Sequence, residues 1–215
     1  MEERKIQSKS RYLWAFIVGT AIFAVVFLIS YSISYLEFQR ISNLQGIIAY
    51  DIFEDKLDYS FFNLGTCSNE SFKKISEDLG FQGNIINDLE GKLGKENPVV
   101  LEKKKFYTLI ELEHFEFINM LNKDCGTKIN TVLFFYSNRK EDIVEGEDTG
   151  RLLDVLYSRN SDNLMIYSFD VNLDSDLVKN LMKKYNIENS PTVIVNGKTK
   201  LFHPENINLI EKYLK

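Results

Sequence analysis

The longest apolar stretch of the chain runs from Tyr12 to Leu36, 25 residues without a charged side chain. About 20 apolar residues cross the hydrocarbon core of a bilayer as a helix, so this stretch predicts one transmembrane helix. A signal-peptide core is shorter and ends in a small-residue cleavage site. Ser30-Tyr31-Ser32-Ile33-Ser34 makes a poor one, and the span reads as an uncleaved anchor. Phe38, Ile41, Leu44, Ile48 and Ile52 then recur at spacings of three and four, so the helix is expected to continue beyond the membrane. The pattern fades over 58–65. Phe72, Ile75, Leu79, Ile86, Leu89 and Leu93 mark a second helix. Gly80 and Gly83 are expected to split it, because glycine weakens a helix interior by about 1 kcal/mol relative to alanine. Asn97-Pro98 opens a third helix, with asparagine as N-cap and proline at the first position. That helix carries Phe106, Leu109, Ile110, Phe117 and Leu121 and ends near Asp124-Cys125-Gly126. Lys103-Lys104-Lys105 reads as its solvated face, and His114 as a surface or partly packed side chain.

After residue 128 the period changes. Thr131 to Tyr136 is a continuous apolar run, as expected of a strand buried on both faces. The polar stretch Asn138 to Thr149 follows, with Glu141, Asp142, Glu145, Glu147 and Asp148 forming an acidic, solvated loop. Leu152, Leu153, Leu156 and Tyr157 mark a helix, Leu164 to Val171 a strand, and Leu177, Leu181 and Tyr185 a further helix. Pro191 cannot donate to a ladder, so it belongs at the start of the short strand Thr192–Val195. Asn196-Gly197 supplies a two-residue turn whose central residues both need positive φ. Lys200–His203 is the returning strand, and 205–214 a closing helix. The order is β-α-β-α-β-β-α, with the first two strands parallel through a right-handed crossover. The fold class is α/β. The segments are a leader (1–11), a transmembrane helix (12–36), a helical region (37–128) and an α/β domain (129–215).

Charge adds orientation. Arg4, Lys5, Lys9 and Arg11 outnumber Glu2 and Glu3 before the span, while Glu37 and Arg40 follow it. The expected topology is a single pass in the cell membrane, with a cytoplasmic N-terminus and the remainder outside the cytoplasm. Ala15-x-x-x-Gly19 and Thr20-x-x-x-Ala24 are small-residue pairs that admit a helix partner within the bilayer. A net charge of −5 and a pI near 5.2 argue against a general nucleic-acid binder. Cys67, Cys125, His114 and His203 lack zinc-finger spacing, so neither a metal nor another cofactor is expected. Asp170-x-Asn172-x-Asp174 opens like a calcium loop but has Ser175 where glycine is needed and Leu181 in place of the bidentate glutamate. It reads instead as a strand-to-helix turn capped by Asp174. Asn69-Glu70-Ser71 is a glycosylation acceptor pattern on the exported side.

The run from Tyr185 to Lys198, a helix end, Ile187, Pro191-Thr192, an apolar strand, Asn196-Gly197 and a strand, resembles the second half of a thioredoxin-like domain. The resemblance covers about the last 85 residues by order of elements. It implies a thioredoxin-like fold for 129–215, a cis Ser190–Pro191 bond, and a binding edge at Ser190, Pro191 and Thr192. It also places the catalytic cysteines just after the first strand, in Ser137-Asn138-Arg139-Lys140-Glu141. No cysteine is there, and disulfide exchange requires an attacking thiolate. No catalytic residue is therefore assigned.

Two readings of function follow. The first is a non-catalytic, membrane-anchored binding or scaffold protein that engages a client peptide or a complex subunit. The second is an envelope thiol oxidoreductase or redox chaperone working through Cys67 and Cys125. An up-down-up arrangement of three helices puts both cysteines at one pole, and an exported location permits a bridge. A structural Cys67–Cys125 disulfide is expected, with two free thiols as the alternative.

Overall fold

The computed structural model describes residues 9–57 and 69–214. The leader before Lys9, Cys67, and the side chains of Phe72 and of the Asn69-Glu70-Ser71 acceptor lie outside the described residues. Two compact units divide between Asn43 and Leu44.

In the first unit the chain is helical within α1 (Lys9–Leu57). Its large apolar side chains between Tyr12 and Leu36 are exposed, Trp14 by 64% and Phe23 by 72%. The most apolar 18-residue window has a mean hydropathy of 2.5 and no burial, so the helix is long and apolar enough to cross a membrane.

The second unit begins with the last turns of α1, followed by α2 (Asn69–Leu93) and α3 (Pro98–Asp124). Ile48, Ile52, Ile75, Leu79 and Ile110 form a small core between them. Contrary to the sequence expectation, α2 runs unbroken through Gly80 and Gly83. Ile75, Leu79, Ile86 and Leu89 on its inner face are all at most 7% exposed. Each such burial is worth about 1.5–3 kcal/mol, which outweighs a glycine penalty of about 1 kcal/mol. Asn97 caps α3 as expected, its Oδ1 accepting the Val99 N–H at 2.9 Å.

The face of α3 that turns inward is the expected one only in part: Ile110, Phe117 and Leu121 are buried, each at most 2% exposed. Phe106 and Leu109 are 39% and 45% exposed, whereas Lys103 and Lys104 are 6% and 5% exposed and His114 is fully buried. Val100, Lys104, Tyr107, Glu111, His114, Ile118 and Leu121 succeed one another at alternating steps of four and three, one continuous stripe of the helix. Lys103 and Lys104 are therefore not part of a solvated face, Lys105 alone of the triplet being exposed, and His114 is not a surface residue.

The strands are β1 (Asn130–Tyr136), β2 (Leu164–Asp170), β3 (Thr192–Val195) and β4 (Thr199–Phe202). The sheet order is β2-β1-β3-β4, with β1 and β2 parallel and the other pairs antiparallel. Alternation sends Leu133, Phe135, Tyr167, Phe169 and Ile194 to one face, where Phe115, Phe117 and Ile118 of α3 and Leu181 complete the core. Val132, Phe134, Leu164, Val193 and Val195 occupy the other face against Leu153, Leu156 and Ile210.

Helix α4 (Ile143–Asn160) joins β1 to β2, and α5 (Asp176–Lys184) joins β2 to β3. The acidic run expected as a loop is largely helical, since Glu145, Glu147 and Asp148 lie in the first turns of α4, where negative charge complements the helix dipole. Ser175, not Asp174, occupies the N-cap of α5; Asp174 pairs with Lys179 at 2.7 Å. The Asn196-Gly197 turn has both residues at positive φ, 51° and 66°. The closing helix α6 is only Asn208–Glu211. Asn206 Oδ1 accepts the Leu209 N–H at 3.2 Å, so the helix starts later than the apolar pattern suggests.

Candidate functional site

The inward stripe of α3 carries polar groups into the junction of α2, α3 and the sheet. Lys104 Nζ lies 2.7 Å from Glu90 of α2 and 2.7 Å from Asp170 at the end of β2. Because β1 and β2 are parallel, with Tyr136 opposite Asp170, the end of β1 arrives at the same point. There Lys104 sits 5.4 Å from the Tyr136 ring centroid. Burial alone would lower the Lys104 pKa. Tyr136, Asp170 and Glu90 together outweigh it and raise the pKa well above the ordinary lysine value, so the ammonium stays charged.

A turn network extends from this ion cluster. Asn138 donates from Nδ2 to Asp170 Oδ2 at 2.7 Å and accepts from Lys95 at 3.0 Å. Asn172 Oδ1 accepts from both Ser137 Oγ and the Asn138 N–H, at 2.8 and 2.9 Å. Asp170 and Asn172, two of the three calcium-type positions, are thus occupied by protein partners. Among the described residues no group of three His, Cys, Asp or Glu side chains is arranged to hold a metal.

About two and three turns further along α3 are Glu111 and His114. Glu111 is 2% exposed. Its Oε1 accepts the Ser168 N–H of β2 at 2.9 Å, and its Oε2 is buried without a partner. Burial raises the Glu111 pKa to about 8, against smaller opposing effects of the Ser168 N–H and Lys104. The carboxyl is therefore predominantly protonated at neutral pH. Burial lowers the His114 pKa to about 3, which makes it a neutral imidazole. Its Nδ1 lies 2.9 Å from the Tyr167 hydroxyl.

These groups line a cavity of about 950 Å³ along β2, walled by α2, α3 and α4. That is at the upper end of the usual range for ligand sites. Glu77, Glu147 and Asp154 stand exposed at its margin. The Lys104 ammonium is locked by two carboxylates, and Ser137 Oγ donates to an amide oxygen rather than to a base. Neither of these two groups is an activated nucleophile, which needs an adjacent base or a lowered pKa.

The residues singled out from sequence lie elsewhere. The Ser190–Pro191 bond is cis, Pro191 O accepts the His203 N–H at 2.9 Å, and Thr192 Oγ1 donates to Asn189 O at 2.7 Å. Pairing of Thr192 with Phe135 puts this loop beside the end of β1, but its residues do not line the cavity. Cys125 caps α3, its N–H donating to Leu121 O at 2.9 Å, and packs against the α3 face of the core. Lys104, Glu111 and His114 were not anticipated. The available signal was the four-three stripe read backwards from Leu121, which an apolar pattern could not register because Lys104, Glu111 and His114 in its middle are polar. No family model matches the chain, and no curated protein is similar to it.

Proposed function

We propose that the chain is a non-catalytic, membrane-anchored binding or scaffold protein whose C-terminal domain is thioredoxin-like. The turn after β1 carries this reading. In such a domain the attacking thiolate stands there, whereas this chain has Ser137 and Asn138 tied to Asn172. The parallel β1-α4-β2 unit, the antiparallel β3-β4 hairpin and the cis Ser190–Pro191 bond beside that turn support the family assignment. The apolar helix anchors the chain in the bilayer with its N-terminus cytoplasmic and its domain outside, and its small-residue pairs suit a second helix in the membrane. The partner is a protein, either a client peptide or a complex subunit, met in part through Ser190, Pro191 and Thr192. A Cys67–Cys125 disulfide pins the helical region, in keeping with a Cys125 that is not a free thiol.

Two observations on sealed membranes of defined sidedness test this. Protease added outside should remove the C-terminal domain, and a photo-crosslinking residue at Ser190 should give a discrete heteromeric adduct. Protection of the domain until lysis contradicts the topology. Absence of any adduct distinct from a Lys212 control contradicts binding through this loop.

A further inference from the structure

We propose that the outer edge of β2 is a docking site for an extended, basic segment of a partner protein. The inference rests on the reading of the chain as a binding module and places a second recognition surface on it. Among the described residues the sheet order leaves β2 at an edge, paired only with β1. Backbone groups of a strand alternate sides. The Val171 N–H, just beyond the strand, donates to Tyr136 O of β1, so the amide of Ser168, three residues earlier, points away from β1. That amide is taken by Glu111 Oε1 at 2.9 Å. A carboxyl oxygen thus occupies the place where a neighbouring strand would put a carbonyl.

The space for such a strand is present. Met165, Ile166, Tyr167 and Ser168 line the cavity of about 950 Å³, with α3 and α2 on one side and α4 on the other. At about 3.3 Å per residue, four or five extended residues run along this length of β2. The second oxygen of Glu111 is buried in this lining without a partner. A buried polar atom left unpaired is costly and calls for a partner. The margin supplies the charge preference. Glu77, Glu147 and Asp154 are exposed around the opening, while Lys104 is neutralised by Glu90 and Asp170 and Lys95 is engaged with Asn138. Strand addition takes its affinity from backbone pairing and its selectivity from alternate side chains, so a segment alternating lysine with β-branched residues fits this edge.

The test uses the full chain in nanodiscs and a labelled ten-residue peptide of alternating Lys and Val. A peptide with Glu replacing every Lys is the control. Binding is followed by anisotropy, and its place by hydrogen exchange. The Lys-Val peptide should bind, the Glu-Val peptide should not, and exchange at Ile166–Ser168 should slow. Gly150→Leu adds a side chain to the cavity lining, where a Cβ meets only a Phe134 ring carbon, at 3.9 Å; an unchanged near-ultraviolet circular dichroism spectrum checks that the variant keeps its fold. It should weaken binding at least tenfold, as should Glu147→Lys combined with Asp154→Lys. Protection at residues 186–192 instead overturns the β2 site while leaving the loop reading in place. Absence of binding, or cavity-dependent self-association of the chain, likewise overturns it, and only loss of the Ser190 adduct as well removes the binding module itself.

Discussion

Lys104 joins α2, α3 and the end of the sheet through one ammonium group, so Lys104→Met is a sharp perturbation. The side chain is 6% exposed, and its two partners, Glu90 and Asp170, are 9% and 5% exposed, each 2.7 Å from Nζ. Removing one member of a buried pair costs about 3–5 kcal/mol, because the stranded charge cannot be rehydrated. Asp170 keeps hydrogen bonds from Asn138 Nδ2 and the Asn172 N–H after the change, which places the loss near 3 kcal/mol. Urea unfolding of the full chain in detergent, followed by near-ultraviolet circular dichroism, reads it as a midpoint lower by about 1–3 M. Adding Glu90→Gln and Asp170→Asn to Lys104→Met removes the stranded charges and should recover most of the loss. A single variant within about 1 kcal/mol of the parent, or a triple variant no better than the single, would refute the clamp.

Three further outcomes are expected. The Glu111 pKa rises from 4.5 unfolded to about 8 folded, so its native proton supports the fold below pH 4.5 and that support is lost as the pH climbs through 8. Glu111→Gln should therefore match the parent near pH 4 and exceed it by about 3 kcal/mol at pH 7 in paired urea titrations; a constant difference across that range contradicts a buried neutral carboxyl. Asn97→Ala removes the cap of α3 and should lower stability by about 1 kcal/mol, while Asn97→Ser changes little; equal losses in both would mean the cap bond carries nothing. The cysteine pair should resist alkylation before lysis and show a reduction potential below about −300 mV, as structural disulfides do, whereas a markedly higher value would mark a redox-active pair.

Legibility from sequence divides along the apolar pattern. The spanning stretch, the α3 cap, the four strands and the Asn196-Gly197 turn were readable, because side-chain period and turn chemistry are local. Gly80 and Gly83 misled because helix propensity is a weak prior, and Ile75, Leu79, Ile86 and Leu89 are buried together. The cleft was illegible for a related reason. Lys104, Glu111 and His114 look like surface residues until Asp170, Ser168 and Tyr167 arrive from more than 50 positions away. A lysine triplet in a helix usually is solvated; here its middle member meets its counter-charges only once α2 and the end of β2 pack against α3.

Thiol chemistry is what most directly separates a binding domain from an enzyme of the same fold. The deciding measurement is dithiothreitol-driven insulin reduction by the full chain in nanodiscs, beside its Cys67→Ser, Cys125→Ser double variant. A non-catalytic domain leaves both at the rate of dithiothreitol alone, and turnover that depends on the two cysteines would contradict it.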